Sequence, residues 1–403
     1  MQDASKTRIQ DAKPPAPSVP KWTPELAWDG ARRLARGVYL VGRSAALSLT
    51  KRPALGVRAL AYPKRILVVR LDRLGDVVLT TALLRSLRQQ FPASHLGLIV
   101  RPAFAPLLRA QDYLSEVIEA PPEALKDERW LQHLRQQAWD VAIDPMDSYA
   151  LATARLIKRV AAAVSVGFAI AGRGAFYTHP APPPRSGSLA EQSIRMLRVL
   201  GWELSLLRPR LSVPPEMDAW AAAWLSQRGK GPWLALHVGG YYPSQRLPAS
   251  IMAQAAARIT KRHRLNALVI GGPNEERLVQ HMAQAYREAA HGTSVDTALG
   301  LNVAQTAALF AQSRLVLANN SGPLHLAAAL GVSTVSTMGP SDPVRFAPLG
   351  SDPMVAHKVI RLGVACSPCN LGWCSHQTCL RAIEPEQLSL AADAALADRA
   401  SSC

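Results

Sequence analysis

The residues best suited to chemistry lie in one run, residues 314–331 (RLVLANNSGPLHLAAALG), where an apolar strand leads through a polar turn into an apolar helix. Pro323 suits the first turn of a helix because its missing N–H would have no partner there. Ser321 and Gly322 leave the other N–H groups of that turn uncovered, and such groups bind phosphate oxygens. The turn therefore predicts an anion site. The alternative is that the polar residues 319–321 only cap the helix.

A carboxylate stands at a second strand-to-helix turn, within residues 68–88 (VVRLDRLGDVVLTTALLRSLR). Asp76 follows Gly75 at the predicted start of the helix, beyond the carboxyl end of the strand. A carboxylate in that position can face a cleft and act as a general base. Acidic residues are also common at helix starts for structural reasons alone. Both interpretations of Asp76 stay open at this point.

Four cysteines near the C-terminus have the spacing C-x2-C-x4-C-x4-C, which could place thiolates around zinc: Cys366, Cys369, Cys374 and Cys379. His376 is an alternative ligand. Zinc sites more often have two well-separated pairs of ligands, so we favour reduced structural thiols and expect that no cofactor is required. Five cysteines in 403 residues are too few for a secreted disulfide framework.

The alternation of strands and helices predicts two α/β domains that position these residues. Expected strands of a first parallel sheet are RILVVRL from residue 65, HLGLIV (95–100) and VAID (141–144). The second half repeats the plan with WLALHVGG, NALVIGG, RLVLA and VSTVSTMG. No GxxxxGK[ST] loop occurs and no GxGxxG follows a strand, which disfavours a P-loop ATPase or an ordinary NAD enzyme. Doubly wound sheets bind ligands beyond the carboxyl ends of their strands, so we expect a cleft between two facing sheets.

The predicted organisation has four segments: a basic arm (1–63), a first domain (64–205), a second domain (215–383) and a C-terminal helix and tail (384–403). We expect a Pro-rich loop at HPAPPPRSG and an interdomain linker at LSVPPEMDA. The final helix, residues 384–398, is expected to pack against the first domain.

The N-terminal arm carries much of the charge. Residues 1–65 contain 13 Lys and Arg against 4 Asp and Glu, which is +9 of the formal net charge of +17. Residues 1–21 are predicted to be disordered. Residues 24–49 are predicted to form a basic amphipathic helix that lies on an anionic membrane surface or docks on its own domain.

Composition limits the partners of the chain. Aromatic residues make up only 6% of it, and no zinc-finger or RNA-binding motif occurs, so a nucleic-acid partner rests on charge alone and is disfavoured. No apolar run reaches about 18 residues, and the N-terminus is too polar for a signal peptide. We expect a cytoplasmic protein that is peripheral on the inner membrane if its basic helix binds lipid.

Taken together, the motifs resemble those of the lipopolysaccharide heptosyltransferases, glycosyltransferase family 9. LDRLGDVVLTTALLRSLR, HVGG with PSQRLP, IGGPNEERL, and ANNSGPLHLAAALG with MGPSDP occur in the family's order, over roughly residues 65–390. The resemblance implies two facing Rossmann-like domains of the GT-B type with an interdomain cleft. It also implies an inverting, metal-independent transfer of a sugar, such as heptose from ADP-heptose, to a lipid-linked oligosaccharide such as the lipopolysaccharide core.

The resemblance assigns the acceptor to the first domain and the nucleotide-sugar donor to the second. Asp76 matches the general base of the family. Ser321, Gly322 and Pro323 match the donor phosphate loop, and His325 lies one helical turn further on.

Further donor contacts follow from the same resemblance. Arg246 lies where the family usually has Lys before Trp-Pro, and a cation there offsets charge on the departing diphosphate. Glu275, or equally Glu276, is placed to accept hydrogen bonds from ribose hydroxyls, and Gly239 belongs to the glycine turn of the donor site. A surface Arg and helix-start acids are the structural alternatives. Asn320 departs from the family, because many relatives have an Asp there that is thought to hold sugar hydroxyls, and the donor sugar therefore stays open.

The main alternative function is a non-catalytic nucleotide- or glycan-binding protein of the same fold. Asn320 favours this alternative because it replaces the charged Asp that is thought to hold the sugar hydroxyls in many relatives. Asp76 and Arg246 disfavour it because both catalytic residue types are present.

Overall fold

The computed structural model describes residues 9–12, 24–48 and 61–400, which form two α/β domains and parts of the arm. In the arm, β1 (Ile9–Ala12) pairs in parallel with an edge of the second sheet, and α1 (Pro24–Ser48) is the predicted basic helix. The expectation of disorder over residues 1–21 is not met at β1, and its other residues lie outside the described part of the chain.

The first domain is built on a parallel sheet of six strands. They are β2 (Arg65–Arg70), β3 (His95–Val100), β4 (Glu116–Glu119), β5 (Val141–Asp144), β6 (Val164–Phe168) and β7 (His179–Ala181). Their order across the sheet is β4-β3-β2-β5-β6-β7. β2 and β3 are each buried over their last five residues. Helices cover both faces of the sheet, so both faces of these strands must be apolar.

The second domain repeats this plan. Its strands are β8 (Trp233–His237), β9 (Asn266–Ile270), β10 (Asp296–Ala298), β11 (Leu315–Asn319), β12 (Thr334–Thr337) and β13 (His357–Leu362). With β1 at one edge, their order is β1-β13-β12-β11-β8-β9-β10, and all neighbours are parallel.

Apart from β1, both sheets have the strand order 3-2-1-4-5-6 when strands are counted within each domain. This is the order of a doubly wound Rossmann fold, so the predicted fold class is confirmed. The order reverses between β2 and β5 in one domain and between β8 and β11 in the other. Ligands bind beyond the carboxyl ends of strands at such reversals, so the residues after these four strands are positioned for one shared site.

Helices cover both sheets: α2 (Leu74–Gln90), α3 (Ala105–Leu108), α4 (Glu128–Gln136), α5 (Ala152–Val160), α6 (Leu189–Met196), α7 (Pro215–Ser226), α8 (Ala249–His263), α9 (Glu276–Ala289), α10 (Val303–Ala311), α11 (Gly322–Ala329), α12 (Thr378–Arg381) and α13 (Pro385–Ala400). The domains meet mainly where α2 of the first packs against α11 of the second. These two helices follow β2 and β11, so their first turns lie in the expected site.

Two local expectations differ from the structure. The predicted linker is helical from Pro215, because a proline in the first turn starts a helix without losing a hydrogen bond. The predicted Pro-rich loop begins with the edge strand β7, where Pro180 lies between two paired residues. Proline is tolerated in an edge strand because its missing N–H need not face a neighbour.

The expected packing of the final helix against the first domain is wrong. α13 packs on α8, β12 and β13 of the second domain, with its apolar residues in the second-domain core. Arg262 and His263 of α8 pair with Asp393 of α13. The apolar face of α13 predicted a buried helix, but both domains offer an apolar sheet to cover.

Of the two alternatives for the N-terminal basic helix, docking on its own domain is observed. α1 contacts the turn Arg173–Phe176, and Arg43 donates hydrogen bonds to the carbonyls of Ala171 and Tyr149. No helix in the three described ranges is long and apolar enough to cross a membrane.

Candidate active site

A cleft of about 490 Å³ lies between the two strand-order reversals. Its walls contain five of the predicted site residues: Asp76, Asn320, Ser321, Gly322 and His325. Sequence reasoning did not single out other residues of the same wall, namely Asp72, Arg73, Arg101, Asp147, Gln245 and Arg345. The cleft thus unites two motifs that are about 245 residues apart in the chain.

The first turn of α11 opens onto this cleft without a capping side chain. Ser321 is the extended residue before the helix, and its hydroxyl points back to the carbonyl of Asn319 at 3.3 Å instead of to an N–H of the turn. By contrast, Ser188 and Asn302 cap α6 and α10 with side-chain hydrogen bonds. Uncapped N–H groups at the positive end of a helix attract an anion. The interpretation that residues 319–321 serve only as a helix cap therefore does not fit this turn.

Asn319 holds the loops around the turn in place. It is fully buried, accepts a hydrogen bond from the N–H of Leu247 at 2.9 Å, and donates to the carbonyls of Val238 and Gly239 at 3.0 and 3.1 Å. One amide thereby ties the segments after β8 and β11 together at the strand-order reversal.

Asn320 has an unused donor in the cleft wall. Its side chain is 7% exposed, and its Nδ2 finds no hydrogen-bond partner among the described residues. A buried polar group without a partner costs roughly 1–3 kcal/mol, and a bound ligand with an oxygen acceptor would remove that cost.

The first turns of α2 and α11 approach closely at Gly75 and Gly322, and the lack of a side chain at both positions permits the contact. A Cβ on Gly75 would lie 3.1 Å from the His325 ring and 3.2 Å from the Cα of Gly322. A Cβ on Gly322 would lie 2.9 Å from both the N of Gly75 and the Cβ of Leu74. Two helix N-termini therefore face one another across the domain boundary, with Asp76 in the first turn of one of them.

Asp76 is held by a buried arginine that it shares with a second carboxylate. Arg70, at the end of β2, is 2% exposed, and its Nε lies 2.8 Å from Asp72 while its Nη2 lies 3.3 Å from Asp76. Burial raises the pKa of Asp72 to about 6, the charge of Asp76 adds to the rise, and Arg70 opposes it. Asp76 is the third residue of α2, so its carboxylate lies at the positive end of the helix dipole, and the residue also lines the cleft.

Two side-chain pairs join the domains at the cleft mouth. Arg345 of the second domain pairs with Asp147 of the first, and burial raises the pKa of that carboxyl while Arg345 opposes the rise. Arg73 of the first domain stacks 3.7 Å from the ring centre of Tyr241 and donates to the hydroxyl of Tyr242 at 3.3 Å. Both arginines line the cleft, and sequence reasoning did not identify either of them.

Glu275 lies outside the cleft lining, next to the glycine turn. Its Oε2 accepts the N–H of Gly272 at 2.9 Å and lies 3.5 Å from Nε2 of His237, while a methyl group at Gly239 would overlap its carboxylate. Glu276, the other candidate, is exposed and accepts a hydrogen bond from a glutamine of its own helix. The structure thus places Glu275, and not Glu276, beside the loop that follows β8.

Arg246 is not brought into the cleft. Its Nε and Nη2 donate to the carbonyl of Gly240 at 3.0 and 2.8 Å, which fixes the guanidinium within its own loop. Its neighbour Gln245 lines the cleft and donates to Ser341 at 3.2 Å. The short turn Pro243–Gln245 directs the side chains of Gln245 and Arg246 to different sides. The sequence pattern did not show which of these two neighbours would face the cleft.

The four C-terminal cysteines form no disulfide, and their segment supports the cleft loops. Ser367 donates to the carbonyl of Gly339 at 2.6 Å, and Ser244 donates to that of Leu371 at 2.6 Å. Burial raises the pKa of Cys379 to about 12, and the other three thiols add to the rise. In the described ranges no three His, Cys, Asp or Glu side chains are arranged to hold a metal ion, and the zinc alternative stays a prediction.

Buried neutral histidines predict acid sensitivity. Burial lowers the pKa of His325, despite the charge of Asp76, and that of His357, each to about 4. Both stay neutral in the folded chain while the unfolded chain protonates near pH 6.5, so their contribution to stability is present above that pH and is lost as the pH falls towards 4. We expect the free energy of unfolding to fall by about 2 kcal/mol per histidine between pH 7 and pH 5.

Urea unfolding at the two pH values measures this effect. His357→Gln should show a smaller pH dependence than the wild type, whatever its stability at pH 7, because Gln does not titrate. An equal pH dependence in both proteins would show that His357 does not remain neutral.

Comparison with known proteins gives a consistent result. A family model described as glycosyltransferase family 9 (heptosyltransferase) matches residues 128–377. Lipooligosaccharide heptosyltransferase 2 of Campylobacter jejuni is 28% identical over 160 residues, which is 38% of this chain and 48% of that protein. This chain therefore spans about half the length of the curated relatives that it matches.

Solved structures share the fold. The ADP-heptose lipopolysaccharide heptosyltransferase II of E. coli superposes with a TM-score of 0.70 at 20% identity, covering 83% of this chain and 99% of that one. A family 9 glycosyltransferase from Veillonella parvula gives 0.68 at 22%, covering 84% and 98%. E. coli heptosyltransferase WaaC with ADP gives 0.60 at 17%, covering 81% and 98%. These likenesses establish the GT-B arrangement of two Rossmann-like domains.

Proposed function

We propose, from the premise that this chain belongs to glycosyltransferase family 9, that it transfers heptose from ADP-heptose to the lipopolysaccharide core or a similar lipid-linked glycan. The transfer inverts the anomeric carbon and needs no metal. The single observation that carries the proposal is the uncapped first turn of α11 in the cleft, which faces the Asp76 carboxylate across the domain boundary.

The second domain offers the chemistry of a nucleotide-diphosphate site. The N–H groups at Ser321 and Gly322 suit phosphate oxygens, and the unpartnered Nδ2 of Asn320 suits an oxygen of the phosphate or of the sugar. His325 is neutral at pH 7, so it contributes a hydrogen bond and not a charge. The E. coli WaaC structure contains ADP, which favours ADP as the nucleotide.

The reaction needs a base on one side of the anomeric carbon and a charge acceptor on the other. In the proposed step the acceptor hydroxyl oxygen bonds to the anomeric carbon and gives its proton to Asp76, while the carbon–oxygen bond to the diphosphate breaks and the diphosphate keeps the electron pair. The helix dipole of α11 stabilises the departing charge. Arg246 does not line the cleft, so we propose Arg73 and Arg345, which do, as the cations that face the diphosphate.

A direct experiment tests the proposed function. Lipid-linked glycans are extracted from cells with and without the protein and analysed by mass spectrometry, and the purified protein is then incubated with the truncated glycan and ADP-heptose. The proposal expects glycans that lack one heptose in the absence of the protein, and restoration by ADP-heptose in vitro. Unaltered glycans together with ADP binding would favour the alternative, a non-catalytic nucleotide-binding protein of the same fold.

The ribose contact gives a separate prediction. Two substitutions should each weaken ADP binding by roughly tenfold: Glu275→Gln, which removes the charge, and Gly239→Ala, which displaces the Glu275 carboxylate. The reason is that a hydrogen bond to a charged group contributes about 1.5–3 kcal/mol. Calorimetry with ADP and with 2′,3′-dideoxy-ADP measures the effect. The dideoxy nucleotide should bind wild type and variants alike, because it lacks the hydroxyls that Glu275 would hold.

The matched controls are Glu276→Gln, on the exposed neighbour, and Gly272→Ala, where a Cβ would lie 3.6 Å from Glu275. Both should bind ADP within a few-fold of the wild type. If Glu276→Gln weakens ADP binding as much as Glu275→Gln, the assignment of the ribose contact to Glu275 is wrong.

A further inference from the structure

The helix α1 is docked with its polar side towards the protein. Arg43 donates from Nε and Nη2 to the carbonyl of Ala171 at 3.0 and 2.7 Å, and from Nη2 to that of Tyr149 at 2.7 Å. The guanidinium of Arg36 stacks 3.8 Å from the ring centre of Tyr149. Leu40 and Arg43 are half-buried on this side of the helix.

The opposite side of α1 is an apolar stripe in solvent. Leu34, Val38 and Val41 follow the spacing i, i+4, i+7 and therefore lie on one face, and their side chains are 73%, 68% and 71% exposed. A surface helix of a soluble protein usually buries its apolar stripe and exposes its charges. α1 has the reverse orientation, so the stripe is a surface without a partner in the described part of the chain.

The position of the stripe points to what covers it. Tyr149, which contacts Arg36 and Arg43 of α1, lies between Ser148 and Ala150, and both of these line the cleft. α1 is therefore docked on the first domain beside a segment of the cleft wall. By the proposed function, this side receives a glycan that is attached to a lipid.

The positive charge of the arm favours an anionic lipid surface, and not a second copy of the chain, as the partner of the stripe. Residues 1–65 carry a net charge of +9, and two copies of such an arm would repel each other. An anionic membrane attracts the arm, by roughly 1 kcal/mol per Lys or Arg near the surface. Interfacial helices lie in the membrane plane with their apolar face in the lipid and their basic residues towards water.

We propose that the stripe Leu34, Val38 and Val41 inserts into the interface of an anionic membrane and holds the acceptor side of the cleft against it. Arg36 and Arg43, on the opposite face of the helix, attach it to the first domain. This inference rests on the proposed function only for the nature of the acceptor, and membrane binding itself is measured without any transfer reaction.

Vesicle co-sedimentation tests the proposal with the full chain. Vesicles of phosphatidylethanolamine with about one-third phosphatidylglycerol are compared with vesicles of phosphatidylcholine alone, at low and at physiological salt. The wild type should bind the anionic vesicles best, and more weakly as salt rises. The triple variant L34S, V38S, V41S should bind them at least tenfold more weakly.

A control variant, L206S, M354S, L390S, removes three exposed apolar side chains elsewhere and should bind vesicles like the wild type. Both variants should keep wild-type ADP affinity, which shows that they are folded and separates this test from that of the proposed function. Equal vesicle binding by the stripe variant and the wild type would overturn the proposal. The proposal would also be overturned if the wild type formed a dimer that does not bind vesicles and the stripe substitutions dissociated that dimer. The stripe would then be covered by a second copy of the chain.

Discussion

Asp76→Asn is expected to lower turnover by ~10²- to 10⁴-fold, the usual contribution of general-base catalysis. A carboxylate at this place can take the proton of the attacking hydroxyl, while an amide of the same shape cannot. ADP affinity should stay within a few-fold, because the phosphate-binding turn belongs to the other domain. Turnover is measured with ADP-heptose and a lipid-linked acceptor, and ADP affinity by calorimetry.

Asp72→Asn is the matched comparison, because Asp72 shares Arg70 with Asp76 and lines the same cleft. It should lose far less turnover than Asp76→Asn if Asp76 is the base. The reverse ranking would assign the base to Asp72, whose pKa near 6 would suit it to that task. Near-normal turnover in both variants would place the base elsewhere, and circular dichroism shows whether each variant is folded.

The sequence predicted the fold through its buried strands. Parallel strands covered on both faces are continuous apolar runs, so β2, β3, β8 and β11 were recognisable from the sequence alone. The short edge strand β7 was hidden in a Pro-rich stretch, because an edge strand needs neither a long apolar run nor every N–H. The docking of α13 was not predictable, since its apolar face would fit a sheet of either domain.

The sequence indicated those residues of the candidate site that lie in a recognisable strand-to-helix turn. Asp76 and Ser321 each follow a buried strand at the strand-order reversal of its own domain, and the packing of α2 on α11 brings the two turns together. Arg345 and Asp147 meet only through the domain arrangement, 198 residues apart, so no local pattern indicated their contact. Arg70 gave a signal that was overlooked, because a charged residue that ends a buried strand needs a partner nearby.

Gly322→Val is expected to weaken ADP binding by ~10²-fold or more. A side chain at this position covers the N–H groups that would receive the phosphate, and each hydrogen bond to a charged group contributes about 1.5–3 kcal/mol. The matched control is Pro323→Ala in the same turn, which keeps every N–H donor and should bind ADP within a few-fold of the wild type. Calorimetry with ADP measures both.

The same substitution has a second consequence that can be separated from the first. A Cβ on Gly322 would lie 2.9 Å from Leu74 and from the backbone of Gly75, so the variant also disturbs the contact between the domains. In the proposed site the N–H donors of α11 and the ribose contact belong to the second domain and only Arg73 belongs to the first, so a disturbed domain contact by itself would lower turnover and weaken ADP binding far less than loss of the N–H donors. Lost ADP affinity with a native circular dichroism spectrum therefore identifies the turn as the phosphate site. Unchanged affinity would place the diphosphate elsewhere in the cleft, and the positive end of α11 would then serve only the contact with α2.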